Sequence, residues 1–302
     1  MVTKLILDVD PGIDAALALV TACCWDKAEL LGVGAVAGAR PLDEAVANAA
    51  GILKEMGCPA QVFPGASLPL HGKRQQASGL RGLGGLGHWR AAPDPDRVSP
   101  THAALFIAQA ARAHPGQVAL VAAGPLTNVA LALEYHPQDV AQLAALVLMG
   151  GVVNGGKTVT PAAEYNIFAD AAAADIVLNS GLNTVVIGQD TAREVFLDAG
   201  DICRLAGGGK AARAVVALAG PWVRELSALP LHAPLALLAA VQPCLFAFGE
   251  AAVAVEARGD WTSGCILADW EGKHNWPNKV QIALQVDARR SKELLLDLWT
   301  RC

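Results

Sequence analysis

The stretch "LILDVDPGIDAALALV" (residues 5–20) places three aspartates, Asp8, Asp10 and Asp14, where an apolar run hands over to an amphipathic one. The short aliphatic run before Asp10 reads as a strand covered on both faces, Pro11-Gly12 as a turn, and the alanine- and leucine-rich segment after it as a helix. In an open α/β sheet, ligands bind in the crevice beyond the carboxyl ends of the strands. Asp8 and Asp10 therefore stand at the mouth of such a crevice, and Asp14 enters the first helical turn, where the helix dipole favours an anion. Two readings follow from the pattern. Either Asp14 is a helix cap and the other two are solvated loop acids, or three converging carboxylates hold a hard cation or perform acid–base work.

The rest of the chain repeats this strand–helix unit. Aliphatic runs at 4–9, 30–36, 117–123, 143–149 and 183–188 alternate with helical patterns at 13–25, 42–57, 101–113, 125–135, 170–179 and 209–227. Such alternation predicts an α/β fold, an open and mainly parallel sheet flanked by helices. "AAVAVEARG" (251–259) and "NKVQIALQVDA" (278–288) read as half-exposed strands, and 289–301 as a closing helix. There is no internal repeat or low-complexity linker, so residues 1–302 are expected to form one domain with a long glycine-rich loop at 64–100. That loop is too long for a plain connection and reads as a lid.

Bulk composition narrows the function. Of 302 residues, 53% are hydrophobic and 17% charged, which allows a large core and argues against disorder. A net charge of −5 with no basic tract argues against a nucleic-acid partner. No run approaches the ~20 apolar residues of a membrane span. The N-terminus does not read as a signal peptide, and the seven cysteines, with Cys23 and Cys24 adjacent on an apolar helix, read as reduced core thiols. Together these lead us to expect a cytoplasmic protein.

One reading of the aspartate stretch is a phosphatase of the haloacid-dehalogenase type, in which a strand ending in Asp-x-Asp supplies a nucleophile and a general acid. That pattern continues Asp-Gly-Thr, whereas here Pro11-Gly12-Ile13 follows. The segment is much more similar to the inosine-uridine preferring nucleoside hydrolases, which carry a strand, then Asp-x-Asp-Pro-Gly-x-Asp-Asp, then an apolar helix. Further segments resemble the same family in the same order: "AAGPLTNVALAL" (122–133), "VLMGG" (147–151) with "TPAAEYNIFAD" (160–170), "GQDTAREV" (188–195), "LPLHAPLALLAA" (229–240) and "GKHNWPNKVQIALQVD" (272–287). The resemblance thus runs from near residue 4 to the C-terminus.

What it implies is a nucleoside N-ribohydrolase, a hydrolase of N-glycosyl bonds acting on a small ribonucleoside and assembling as a homodimer or homotetramer. By the same resemblance Asp10 is the general base and His232 a general acid beside the leaving group. Asp14, Asn128, Glu164 and Asn166 would line the ribosyl crevice with Asp8, and Trp89 in the long loop is a candidate to stack on a base. The family's cofactor is Ca²⁺, whose retained ligands would be Asp10 and the carbonyl of Thr127.

Several matching positions depart from the pattern. Ala15 stands where the second aspartate of the pair would be, and Ala233 where an aspartate would follow the histidine. Ala39 and Thr158 replace asparagines that reach ribose hydroxyls, and Arg81 replaces a loop histidine. Ca²⁺ takes six to eight oxygens, several from carboxylates. With two carboxylates gone, the resemblance implies a weak or absent ion and impaired hydrolysis, or a catalytically inactive nucleoside-binding protein.

Overall fold

The computed structural model describes residues 3–74, 85–87, 89, 90, 92, 94–153 and 159–302. Their backbone is organised around one nine-stranded sheet. In chain order the strands are β1 (Thr3–Val9), β2 (Ala28–Ala35), β3 (Gln61–Pro64), β4 (Val118–Ala123), β5 (Ala145–Met149), β6 (Thr184–Ile187), β7 (Phe196–Leu197), β8 (Leu229–Pro230), β9 (Phe246–Glu256), β10 (Cys265–Asp269) and β11 (Lys279–Val286). The sheet runs β10-β9-β11-β6-β5-β4-β1-β2-β3, while β7 and β8 form a separate two-stranded ribbon. Every pair from β3 across to β11 is parallel, and β9 runs antiparallel to both its neighbours, β11 and β10.

Alternation along each strand explains the layering. In β1, Leu5, Leu7 and Val9 point into one apolar cluster and Ile6 into another. In β4, Ala119, Val121 and Ala123 join the first cluster while Val118, Leu120 and Ala122 join the second. A strand whose successive side chains enter two cores is apolar at nearly every position, as the aliphatic runs foretold, with Asp8 the buried exception in β1. Helices Ile13–Cys24, Lys210–Leu226, His232–Val241 and Ala288–Arg301 cover the first face; helices Ala103–Ala113, Thr127–Tyr135 and Ala171–Leu178 cover the second.

Helix Ile13–Cys24 is buried along most of its length, its alanines allowing neighbouring helices to pack closely. Its far half is pinned by Trp299 of the closing helix, a fully buried side chain whose indole N–H donates to the Thr21 hydroxyl at 3.0 Å. Among the described residues no helix is long and apolar enough to cross a membrane.

The expected strands and helices stand within about two residues of their predicted limits, except the strand expected at 251–259, which is β9 and spans Phe246–Glu256. The short edge strands β3 and β10 and the ribbon β7–β8 were not foreseen. Residues 75–84 of the long loop, including Arg81, lie outside the described residues. The loop's end is anchored: Leu86 is wholly buried in the first cluster, between Gly85 and Gly87, both at positive φ. Those two positions need glycine because a Cβ is strained there.

Candidate active site

Strand order reverses at β1, which lies between β2 and β4. Two parallel strands whose following helices leave on opposite faces open a crevice beyond their carboxyl ends, the usual ligand position in such sheets. Here that crevice is a cavity of about 370 Å³ lined by Asp10, Asp14, Ala15, Glu164, Asn166 and His232, with Tyr165, Gln189, Trp222 and Met149 completing its wall.

Each side chain is placed by local structure. Asp10 follows β1 and its Oδ2 accepts the backbone N–H of Ala39 at 3.1 Å. Gly38 permits this approach, since a Cβ there would overlap the Asp10 carboxylate. Asp14, in the first turn of its helix, accepts the N–H of Ala233 through Oδ2 at 2.7 Å. Glu164 caps the short helix Tyr165–Ala169: its Oε2 accepts from the N–H groups of Asn166 (2.9 Å), Gly151 (3.1 Å) and Ile167 (3.4 Å). Asn166 donates through Nδ2 to the carbonyl of Met149 at 3.0 Å, tying this wall to the end of β5. His232 opens helix His232–Val241, and its Nε2 is buried without a partner among the described residues.

Burial sets the electrostatics. It pushes Glu164 up to about 7 against its three backbone hydrogen bonds, with the charge on Asp10 adding to the rise. Asp8 is likewise raised to about 7 by burial; Asn128 opposes the rise and Asp10 assists it. His232 is lowered to about 4 by burial, so its imidazole is neutral at physiological pH. The site therefore pairs a neutral imidazole with a carboxyl group, that of Glu164, that holds its proton at unusually high pH.

Not every expected residue enters the cavity. Asn128 lies beneath it, fully buried, donating to Asp8 Oδ1 (2.8 Å) and the Ala35 carbonyl (3.2 Å) and accepting from the Ala66 N–H (2.8 Å). Its amide is engaged by the scaffold, and Asn128 is not among the residues lining the cavity. Asp8 is enclosed in the same way, with no exposed surface and one oxygen, Oδ2, without a partner among the described residues. Trp89 is half-buried against the first apolar cluster and is not part of the cavity wall, because the anchored Leu86 carries it onto the core. The Thr127 hydroxyl donates to Asp170 at 2.6 Å. Thr158 and Arg81 lie outside the described residues.

Tyr165, Gln189 and Trp222 were missed by sequence reasoning. Gln189 and Tyr165 sit inside quoted motifs, but only the fold shows that they face the cavity. Trp222 comes from helix Lys210–Leu226, where the periodicity gave no sign of a ligand.

The donor set does not fit a six- to eight-coordinate hard cation. Ala15 and Ala233 bring methyl groups, Asp14 already accepts a backbone N–H, and Asp8 is sealed away below. Among the described residues no group of three His, Cys, Asp or Glu side chains is arranged to hold a metal ion.

Residues 5–293 match the family model for inosine-uridine preferring nucleoside hydrolases. Uridine nucleosidase 1 of Arabidopsis thaliana is 31% identical over 300 residues, covering 94% of this chain and 89% of the relative. The non-specific ribonucleoside hydrolase RihC of Escherichia fergusonii is 33% identical over 286 residues, covering 94% of this chain and 93% of the relative. A plant nucleoside hydrolase of known structure, PpNRh1, superposes with a TM-score of 0.93 at 28% identity, covering 99% of both chains. A match of this extent leaves the phosphatase reading without support.

Proposed function

This chain belongs to the inosine-uridine preferring nucleoside hydrolase family, and from that premise we propose that it cleaves the N-glycosyl bond of a ribonucleoside in the Asp10 crevice, at a rate held down by an incomplete cation site. The observation that carries the reading is the convergence of Asp10, Asp14, Glu164, Asn166 and His232 on one cavity at the switch point of the sheet.

In this reading the polar wall of Asp14, Glu164 and Asn166 holds the ribosyl hydroxyls. Glu164, protonated up to about 7, donates as well as accepts. Asp10 takes the proton of a water as its oxygen bonds to the anomeric carbon and the C–N bond breaks. The electron pair of that bond leaves with the base. Neutral His232 stabilises the departing base by hydrogen bonding from its buried ring rather than by delivering an imidazolium proton. A bound cation would supply orientation and activation of the water in this family; the residues present here do not fit one, and no step is assigned to it.

A second reading is a nucleoside-binding protein without turnover. It is favoured by one contact: Asp14, a carboxylate facing the ligand, already accepts the Ala233 N–H. One experiment separates the two. Uridine and inosine are incubated with the protein and with Asp10→Asn, and free base is quantified chromatographically beside calorimetric titration of each nucleoside. Slow base release that Asp10→Asn abolishes supports hydrolysis. Heat of binding with no release supports the second reading.

A further inference from the structure

Strand β6 ends at Ile187, and the chain turns at Gly188 into the short helix Gln189–Ala192. This corner is firmly held. The Gln189 N–H donates to the Gly151 carbonyl at 2.9 Å, the Ala192 N–H to the Gly188 carbonyl at 2.9 Å, and the Thr191 hydroxyl to the Ala283 carbonyl of β11 at 2.8 Å. Gly188 permits the turn, since a Cβ there would lie 2.2 Å from Oδ1 of Asp190. The Gln189 side chain is different. It lies on the wall of the Asp10 crevice, and its Oε1 is buried without a partner among the described residues.

A buried amide oxygen without a donor is costly, and in a native protein it points to a partner that arrives from outside the fold. The position of Gln189 says which. Gly151, whose carbonyl accepts from Gln189, donates its own N–H to Oε2 of Glu164 at 3.1 Å. One glycine thus joins Gln189 to the carboxyl of Glu164, on the polar side of the cavity that Asn166 also lines. The apolar side, with Trp222, Leu229 and Pro230, suits the flat base instead. The last torsion of a glutamine is soft, so the amide can turn its oxygen toward a donor in the cavity without disturbing the backbone.

We propose that Gln189 is a specificity-determining residue: its Oε1 accepts a hydrogen bond from a hydroxyl of the bound ribosyl group, so that the site favours the ribonucleoside over the deoxynucleoside lacking that hydroxyl. This role rests on the reading of the crevice as a nucleoside site, and it adds a sugar contact to those of Asp14, Glu164 and Asn166. A site that pairs a substrate hydroxyl rejects the analogue without it, because the buried acceptor is then left unpaired. The same logic governs the free protein. An apolar side chain of similar length removes the unpaired oxygen and leaves no orphan behind.

The test compares the parent with Gln189→Met, which keeps the length and removes the amide, and with Gln189→Ala. Each is titrated calorimetrically with uridine, with 2′-, 3′- and 5′-deoxyuridine and with N3-methyluridine, and the melting temperature of each free protein is recorded. Both variants should bind uridine about tenfold more weakly than the parent, the scale of one well-placed hydrogen bond. For one of the three deoxyuridines the loss should vanish, because the partner of the amide is already gone. Gln189→Met should melt no lower than the parent.

Unchanged uridine affinity in Gln189→Met overturns the proposal, as does an equal loss for all five ligands. A loss that vanishes only with N3-methyluridine also overturns it, by placing the contact on the base. A lower melting temperature in Gln189→Met with unchanged affinity assigns the amide to the scaffold. All of these results leave nucleoside binding by the parent intact, whereas a parent that binds none of the five overturns the nucleoside reading and the Gln189 contact with it.

Discussion

Asp14 and Ala233 are 219 residues apart in sequence, yet the carboxylate of the first accepts the backbone N–H of the second at 2.7 Å. The contact joins the opening turns of helices Ile13–Cys24 and His232–Val241 across the crevice. It works as a cap supplied from another helix: the second helix has no side-chain cap of its own at Leu231, and Asp14 satisfies one of its otherwise orphaned amides.

Asp14→Ala is therefore expected to lower stability by about 1 kcal/mol, the usual value of a cap. Asp14→Asn keeps an acceptor oxygen and should retain most of that stability. Both variants lose the charge facing the ligand, so nucleoside affinity should fall in each. Urea denaturation beside calorimetric titration separates the two effects; equal stability loss in both variants would argue against the cap.

Asn128 makes a prediction of the opposite kind, because it serves the scaffold alone. Truncation to Ala leaves the Ala66 N–H and the Ala35 carbonyl without this partner and deprives Asp8 of its donor. Buried orphans of this sort cost about 1–3 kcal/mol each. Asn128→Ala should lose several kcal/mol in denaturant unfolding. Asn128→Asp, placing a second carboxylate against Asp8, should be worse.

The acids of the crevice give a pH signature. Burial raises Glu164 from 4.5 to about 7 in the folded protein, so between those values the native state binds the proton more tightly than the unfolded chain. Stability from this group is fully present below about 4.5 and is lost as pH rises through about 7. His232, lowered from 6.5 to about 4, acts in the other direction: the unfolded chain binds its proton first, so stability falls as pH drops through that window. Glu164→Gln removes only the first contribution while keeping an acceptor for the three backbone amides. Relative to the parent it should be near neutral at pH 5 and more stable by up to about 3 kcal/mol at pH 8. A difference that stays flat from pH 5 to pH 8 would contradict the raised value.

What was legible in sequence and what was not divides along a physical line. β1, its turn and the following helix are local: an aliphatic run with Pro11-Gly12 after it has few other ways to fold, so the positions of Asp10 and Asp14 could be read directly. Glu164 and Asn166 came from motif resemblance, and the fold places both in the crevice. The scaffold contacts of Asn128 were not legible, because whether an amide meets β2 and the segment after β3 is something its own sequence neighbours do not reveal. Trp222, for which the sequence gave no expectation, lines the cavity, and Trp89 does not. An aromatic in a glycine-rich loop suggests a ligand, but Leu86 anchors that loop to the core, whereas a helix pattern hides which face looks onto a cavity. The strands β3 and β10 are short and lie at the two sheet edges, where burial imposes the least pattern.

The last prediction concerns the two alanines. Ala15 lines the crevice and Ala233 is buried beside it, its N–H on Asp14. If their methyl groups are why a hard cation does not fit, restoring carboxylates at both positions should create a site that the parent lacks. Without a cation, Ala15→Asp with Ala233→Asp crowds two new acids against Asp10 and Asp14, and like charges in a low-dielectric crevice repel. The double variant should therefore melt below the parent in chelator. With 1 mM Ca²⁺ it should gain roughly 5–10 °C if the ion binds near the micromolar range, since a ligand at about a thousand times its dissociation constant adds about 4 kcal/mol. The parent should shift by no more than about 1 °C, the response of a site with millimolar affinity. Each single variant leaves the ion one carboxylate short, so the gain in the pair should exceed the sum of the singles. Base release from uridine and inosine, measured on the same four proteins with calcium and with chelator, should rise in step with the melting shift. A parent protein that already melts higher in calcium would show that oxygens other than these two carboxylates hold the ion.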